Sequence, residues 1–133
     1  MKTKPVLTMQ DCEKIQAAAR AEAVKNKWNV TIAIVDDGGH LLSLIRGDGV
    51  APVTAEIATR KAHGAAVARR STKASEDRIA SRPALVKMPI LPVQGGVPIM
   101  HDGHCVGAVG VSGVQSHEDE QICNAGIAAL GAA

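Results

Sequence analysis

The chain has 133 residues, which suits one domain (1–133) that buries roughly two-thirds of its unfolded surface in a single core. A net charge of +2 and a single aromatic residue, Trp28, argue against nucleic acid, because neither a basic surface nor stacking platforms are available. No apolar run of about 20 residues and no signal-peptide pattern is present, so we expect a cytoplasmic protein with no membrane partner.

The first predicted element is an amphipathic helix. Thr8 and Asp11 form a capping pattern, three residues apart, at its start. Apolar residues then recur at helical spacing from Cys12 to Ala23, and the pattern ends near Lys27. We therefore expect one face of this helix to pack against the core.

A β-hairpin and a second helix follow. Residues 29–35 are rich in β-branched side chains, residues 36–39 (D-D-G-G) predict a tight turn, and residues 40–46 predict a second strand. Pro52 suits the first turn of a helix that runs to about Ala68. The alanines of that helix form a small-residue face that could lie very close to a sheet.

The next segment is the least regular part of the chain. Residues 69–82 mix charges with serine and threonine, and a short helix is expected around residues 75–79. Pro83, Pro89 and Pro92 predict a loop or an edge strand, which we count as a third strand.

The C-terminal part predicts a second hairpin and a last helix. Asp102-Gly103 joins two β-prone runs, and this dipeptide favours a two-residue turn because both central residues need a positive φ. Gln94-Gly95-Gly96 precedes the hairpin and Ser112-Gly113 follows it. These two ends lie opposite the turn, where we expect a site.

The last helix is predicted to start at a capping pair, Ser116 and Asp119, and to run through Leu130. Strands grouped in hairpins, with helices between them, indicate an α+β fold on an antiparallel sheet. The three cysteines show no C-x-x-C spacing, so we expect buried free thiols rather than disulfides or a zinc site.

Five segments make the chain resemble the GlcG/HbpS family, which is related to the PduO C-terminal domain. They are D-G-G-H-L-L-S-L-I-R (37–46), I-A-T-R-K-A (57–62), L-P-V-Q-G-G-V-P-I (91–99), D-G-H-C-V-G-A-V-G-V-S-G (102–113) and D-E-Q (119–121). The resemblance covers roughly residues 8–130.

This resemblance implies a profilin-like fold, with an antiparallel sheet of about five strands flanked by helices in α/β/α layers. It also implies a homo-oligomer, in which dimers build tetramers or octamers, and a role in haem binding and haem degradation. Other family members belong to catabolic operons, where their role is unsettled. The family name therefore says more about fold than about substrate.

The leading candidate site is an anion pocket. Arg46 ends the second strand, Lys61 lies on the alanine-faced helix, and Gln94, Gly95 and Gly96 open the central loop. If they converge, two cations and two bare backbone N–H groups suit a carboxylate or a haem propionate. The alternative is that Arg46 and Lys61 pair with surface acids.

Two further residues follow the last strand of the hairpin, on the same side as the Gln94-Gly95-Gly96 loop. Ser112 and Gly113 would complete the rim of this pocket, although Ser112 is equally suited to capping a turn. Glu56 and Asp119 would serve as general bases only if they are buried near the central loop. Otherwise they have helix-surface and capping roles.

Haem iron needs a His, Cys, Met or Tyr ligand, and tyrosine is absent. His63, on the helix of Lys61, and His40, after the first turn, are the haem-iron candidates, with surface or interface roles as the alternative. His101 and His104 flank the second turn and are expected to be solvated.

Three functions remain open. The first is haem binding with a part in haem degradation, and no nucleotide cofactor is expected. The second is an enzyme that acts on a small oxo or hydroxy acid and holds the carboxylate with Lys61 and Arg46. The third is an oligomeric accessory protein without catalytic activity.

Overall fold

The computed structural model describes residues 1–131, in which two pairs of strands are separated and flanked by helices. The elements are α1 (Met9–Lys25), β1 (Thr31–Asp36), β2 (Leu41–Arg46), α2 (Val53–Ala68), α3 (Thr72–Ser81), a 3-10 helix (Pro83–Lys87), β3 (Gly96–His101), β4 (His104–Ser112) and α4 (Ser116–Ala128). Within residues 1–131, no helix is both long and apolar enough to cross a membrane.

The four strands form one antiparallel sheet in the order β2-β1-β4-β3. The central strands are therefore β1 and β4, and each hairpin contributes one edge strand. Thr31 of β1 pairs with Arg46 of β2 on one side and with Ser112 of β4 on the other. The ends of three strands thus lie side by side.

Two different cores cover the two faces of this sheet. On one face, α1 and α4 pack large aliphatic side chains, among them Ile15, Ile34 and Ile122. On the other face, the alanines of α2 pack against Ala33 and Ala108. A β-carbon at Gly110 would overlap the backbone of α2 at Ala58 and Ala62, so the helix lies almost directly on the sheet.

The α+β fold and the antiparallel sheet are confirmed, but the sheet has four strands rather than about five. The extra strand was predicted at the proline-rich segment, where the structure has a 3-10 helix and irregular chain up to Gln94. Proline has no N–H group to donate to a neighbouring strand. Local hydrogen bonds, such as the one from the Met88 N–H to the Leu85 carbonyl, form instead of a strand pairing. The predicted 1–133 domain extends to Ala132 and Ala133, which lie outside the described residues.

The turn of the second hairpin and the cap of α1 are as predicted, but α4 is capped by Gln115 and Glu118 rather than by Ser116 and Asp119, and it ends at Ala128 rather than at Leu130. Asp102 and Gly103 have φ values of 49° and 76°, as the two-residue hairpin turn requires. The Asp11 N–H donates to Thr8 Oγ1 at 3.1 Å, and the Thr8 N–H donates to the Asp11 carboxylate at 2.9 Å. These hydrogen bonds favour the ionised form and lower the pKa of Asp11.

The C-terminus of α1 is fixed by two backbone hydrogen bonds. The Trp28 N–H donates to the Ala23 carbonyl at 2.8 Å, and the Lys27 N–H donates to the Val24 carbonyl at 3.0 Å. This is a Schellman motif with Lys27 in the left-handed conformation, at a φ of 60°. The motif turns the chain sharply and brings Trp28 back against the core.

We expect Lys27→Gly to raise the free energy of unfolding by about 0.5–1 kcal/mol, because glycine adopts this conformation without the steric cost of a β-carbon. Lys14→Gly, in the exposed middle of the same helix, is the control and should lower stability by about 0.7 kcal/mol. Urea titration measures both changes. Equal losses in the two variants would contradict a conformational cost at Lys27.

Candidate functional site

The loop before the central hairpin lies over a buried ion pair. Lys61 of α2 and Asp119 of α4 are only 3% and 2% exposed. The Lys61 ammonium donates to the Asp119 carboxylate at 3.0 Å and to the Val111 carbonyl of β4 at 3.0 Å. The Lys61 side chain therefore links α2 to α4, which lies on the opposite face of the sheet, and to the central strand β4.

Gly95 is required beside this ion pair. Its φ of 125° disfavours other residues, and a β-carbon there would lie 2.7 Å from the Lys61 ammonium nitrogen. Its carbonyl accepts the Val111 N–H at 2.9 Å and the Cys123 thiol at 3.2 Å. The next N–H, of Gly96, donates to the Thr72 hydroxyl at 2.8 Å.

Burial sets the protonation of the acidic groups around the ion pair. Loss of water raises the pKa of Asp119, and the Lys61 charge opposes that shift. Burial likewise raises the pKa of the Cys123 thiol. Cys123 is therefore a neutral thiol that donates hydrogen bonds, not a thiolate nucleophile. Cys12, Cys105 and Cys123 are all free and buried, as predicted.

The predicted anion pocket is thus only partly assembled. Lys61, Gly95 and Gly96 do meet, but Asp119 supplies the anion and Thr72 takes the Gly96 N–H. Gln94 lies at the edge of this region, where its side-chain amide donates to Glu120 at 2.9 Å. The chain's own groups therefore fill the place that we predicted for a ligand.

The remaining rim residues have separate positions. Ser112 is buried at the end of β4, and Gly113 has a φ of 144°, where an added β-carbon would lie 2.9 Å from the Val30 Cα. Arg46 does not join Lys61. It is exposed and lines a groove on the α1 side of the molecule.

Sequence reasoning did not foresee the partner of Lys61. Asp119 was considered as a cap, and it does accept the Val114 N–H at 3.3 Å through its other oxygen. The helix itself begins one residue after Gln115, whose N–H donates to Glu118. The sequence feature that indicated such a partner was Lys61 itself. It falls among the alanines of α2, and a buried lysine needs a buried acid.

The two predicted iron ligands lie together at the first hairpin turn, away from the central loop. His63 and His40 are both exposed, and the His63 Nδ1 lies 3.1 Å from the Gly39 carbonyl. His101 and His104 pair across the second turn and are exposed, as predicted. Within residues 1–131, His, Cys, Asp and Glu form no metal-binding group of three or more.

A groove of about 270 Å³, the hairpin groove, opens beside the second hairpin. The N-terminal segment, β3, β4 and the end of α4 form its walls. These walls are mostly apolar, and His101 and Asp11 are the ionisable side chains that line it. The apolar lining includes Val6, Leu7, Ile99, Val106, Ile127 and Leu130.

A second groove of about 280 Å³, the arginine groove, lies between α1 and the end of β2. Its lining residues include Arg20, Trp28 and Arg46. A wider depression of about 560 Å³ connects the two, since it shares Leu7 with the hairpin groove and Ile45 with the arginine groove. The α1 side of the sheet therefore carries a nearly continuous series of grooves.

The sequence matches the family model described as haem degrading protein HbpS-like over residues 7–128. Protein GlcG of Escherichia coli strain K12 is 50% identical over 114 residues, which cover 84% of this chain and 85% of GlcG. An uncharacterised 15.0 kDa protein from the dhaT-dhaS intergenic region of Citrobacter freundii is 29% identical over 119 residues, 85% of this chain and 84% of that protein.

Solved structures have the same fold. A double mutant of HbpS from Streptomyces reticuli superposes with a TM-score of 0.92 at 35% identity and covers 99% of this chain and 92% of the HbpS chain. A haem complex of PduOC superposes with a TM-score of 0.86 at 24% identity and covers 96% of both chains.

Proposed function

Because this chain belongs to the HbpS-like family, we propose that it binds haem. The observation that carries this proposal is the match to the HbpS-like model over residues 7–128, together with the 0.92 TM-score to HbpS itself. The PduOC chain, which has this fold, was solved with haem. Haem binding is thus compatible with the architecture.

We further propose the hairpin groove as the haem site. A porphyrin needs apolar walls for its faces and a side chain such as histidine for its iron. The hairpin groove has both, since Leu7, Ile99 and Val106 form apolar wall and His101 lines the opening. Its connection through Leu7 to the wider depression gives room for a ligand larger than the groove itself.

The other possible ligands are less well suited. His63 and His40 line none of the grooves described above, whereas His101 lines the hairpin groove. His101 is also exposed, and its Nε2 lies 3.4 Å from the Asp102 carboxylate, so its place in the groove is what favours it. Cys12 lines the wider depression, but burial raises the pKa of its thiol and disfavours the thiolate that iron prefers.

The interior around Lys61 is also less suited to haem. A propionate would have to replace Asp119 as the partner of Lys61 and leave that carboxylate buried without a cation. Breaking such a pair costs about 3–5 kcal/mol. We therefore favour the α1 side of the sheet over the loop of Gln94, Gly95 and Gly96.

We expect hemin titration to give a saturable Soret shift at micromolar concentration, and His101→Ala to weaken binding at least tenfold. His40→Ala and His63→Ala are matched controls, because both histidines are exposed and lie outside the grooves described above. A loss confined to His40→Ala or His63→Ala would move the iron to the first hairpin turn. A wild-type protein without a saturable shift would refute haem binding.

We also propose that the protein forms a homo-oligomer. Strand β2 is an edge of the sheet and leaves three large apolar side chains, Leu41, Leu42 and Ile45, about half exposed. Exposed apolar edge strands are typical of surfaces that pair with another chain. This support concerns a dimer, and larger assemblies would need further contacts.

A further inference from the structure

We propose that the N-terminal segment, residues 1–8, is a strap that closes the hairpin groove, and that Leu7 is the gate between this groove and the wider depression beside it. Pro5, Val6 and Leu7 form one wall of the hairpin groove, and Leu7 also lines the wider depression of about 560 Å³. The Leu7 side chain therefore stands between the two concave surfaces. Its withdrawal would join them into one larger site.

The backbone of the strap is not tied to the rest of the fold. Within residues 1–131, no backbone N–H or carbonyl of residues 1–7 takes part in a hydrogen bond, and the first bonded group is the Thr8 N–H, which donates to Asp11. Residues 1–7 also lie outside every helix and strand. Segments without backbone hydrogen bonds open locally at a small fraction of the free energy of global unfolding. The strap is therefore able to open while the sheet stays folded.

Two side chains hold the strap in place. Leu7 is 9% exposed and packs in the core under α1 and α4, where a β-carbon on Gly107 would lie 2.7 Å from the Leu7 Cδ1 atom. Glycine at position 107 thus leaves the space that Leu7 occupies. The second side chain is Lys4, whose ammonium group pairs with the Asp37 carboxylate at the first hairpin turn. Because the Lys4 side chain is 53% exposed, this latch is weak and is screened by salt.

The size of the hairpin groove is the reason why opening matters. Its volume of about 270 Å³ lies below the range of roughly 300–1,000 Å³ that pockets for drug-sized ligands span. Lifting Leu7 extends the groove into the wider depression and leaves the apolar wall of Ile99 and Val106 in place, with His101 at the opening. This step rests on the proposed haem site, since a porphyrin is the ligand that needs the additional space.

The opening of the strap is measured without a ligand, through Cys12. This thiol is 5% exposed and lines the wider depression together with Leu7. The full chain is treated with iodoacetamide, and peptide mass spectrometry follows the rate of labelling. Lys4→Met should raise the rate at Cys12 about two- to fivefold, because an exposed ion pair changes the closed population by about this factor. Cys123 is fully buried, so its rate reports global unfolding and should not change.

Lys2→Met is the matched control, because Lys2 is exposed on the same strap and has no ion pair within residues 1–131. Lys4→Arg preserves the charge and should keep the wild-type rate. Raising the salt concentration from about 0.01 M to about 1 M should speed Cys12 labelling in the wild type but not in Lys4→Met, because salt screens the latch. Equal Cys12 rates in the wild type, Lys4→Met and Lys2→Met would overturn the proposal. A parallel rise at Cys123 would also overturn it.

Hemin titration of the same variants tests Leu7 as the gate. If the ligand binds only when the strap is open, a larger open population raises the apparent affinity in proportion. Lys4→Met should therefore bind hemin about two- to fivefold more tightly than the wild type, and Lys2→Met should bind it equally. Unchanged hemin affinity in Lys4→Met despite faster Cys12 labelling would show that Leu7 is not the gate. A wild-type protein that binds no hemin would refute the haem site, and the labelling rates would still decide whether the strap opens.

Discussion

Lys61→Met is expected to lower the free energy of unfolding by about 3–5 kcal/mol, because it leaves the Asp119 carboxylate buried without its cation. The Val111 carbonyl loses a hydrogen-bond donor in the same variant. Total stabilities of single domains are about 5–15 kcal/mol, so the loss would remove a large part of the whole. Chemical denaturation followed by circular dichroism measures it.

The double variant Lys61→Met/Asp119→Asn should recover most of this loss, because no uncompensated charge remains inside. Lys87→Met, an exposed lysine without an ion pair in residues 1–131, is the matched control and should change stability by less than about 0.5 kcal/mol. If the double variant is no more stable than Lys61→Met, the loss comes from packing rather than from charge.

The Lys61→Met variant should also have a distinctive pH dependence. Without Lys61, burial raises the pKa of Asp119 in the folded state, opposed only by the weaker effect of the Val114 N–H hydrogen bond, while the unfolded chain retains a value near 3.8. Between these two values the folded protein binds the additional proton, so lowering the pH stabilises it. The deficit of Lys61→Met relative to wild type should therefore shrink from pH 7 toward pH 4.

Gly110→Ala is expected to destabilise the protein by about 4 kcal/mol or more, because its β-carbon would overlap main-chain atoms of α2 rather than a movable side chain. The nearest atoms are the Ala58 carbonyl oxygen and the Ala62 nitrogen, the latter at 2.5 Å. Accommodating the methyl group requires α2 to move away from the sheet. Thermal unfolding and soluble yield both report the effect.

Gly38→Ala is the control for this substitution. Gly38 is exposed, and the atom closest to its added β-carbon, at 3.2 Å, belongs to the movable side chain of His40. We expect a change within about 0.5 kcal/mol. Comparable losses in Gly38→Ala and Gly110→Ala would mean that the contact between α2 and the sheet is not tight.

The sequence predicted local structure more completely than it predicted contacts. Thr8 with Asp11 and Asp102 with Gly103 act over at most three residues, so their capping and turn geometry followed from chemistry alone. The alanines of α2 likewise indicated close packing on a sheet. The proline-rich segment was less predictable, because a proline is compatible with an edge strand, a loop or a 3-10 helix.

The candidate site depended on contacts that sequence spacing does not reveal. Lys61 and Asp119 are 58 residues apart, and neither helix pattern indicates that they meet through the sheet layer.

The contrast between the two cores has a further consequence for conformational entropy. The contact of α2 with the sheet is made mostly of alanine and glycine, which lose no rotamer freedom when they are buried. That half therefore has few side chains that could adopt other rotamers in response to a ligand, Val35 and Leu44 among them. The isoleucines and valines under α1 and α4 have rotatable side-chain dihedrals, which alanine and glycine lack. Any adaptation to ligands of different shape is therefore concentrated on the α1 side, where the grooves lie.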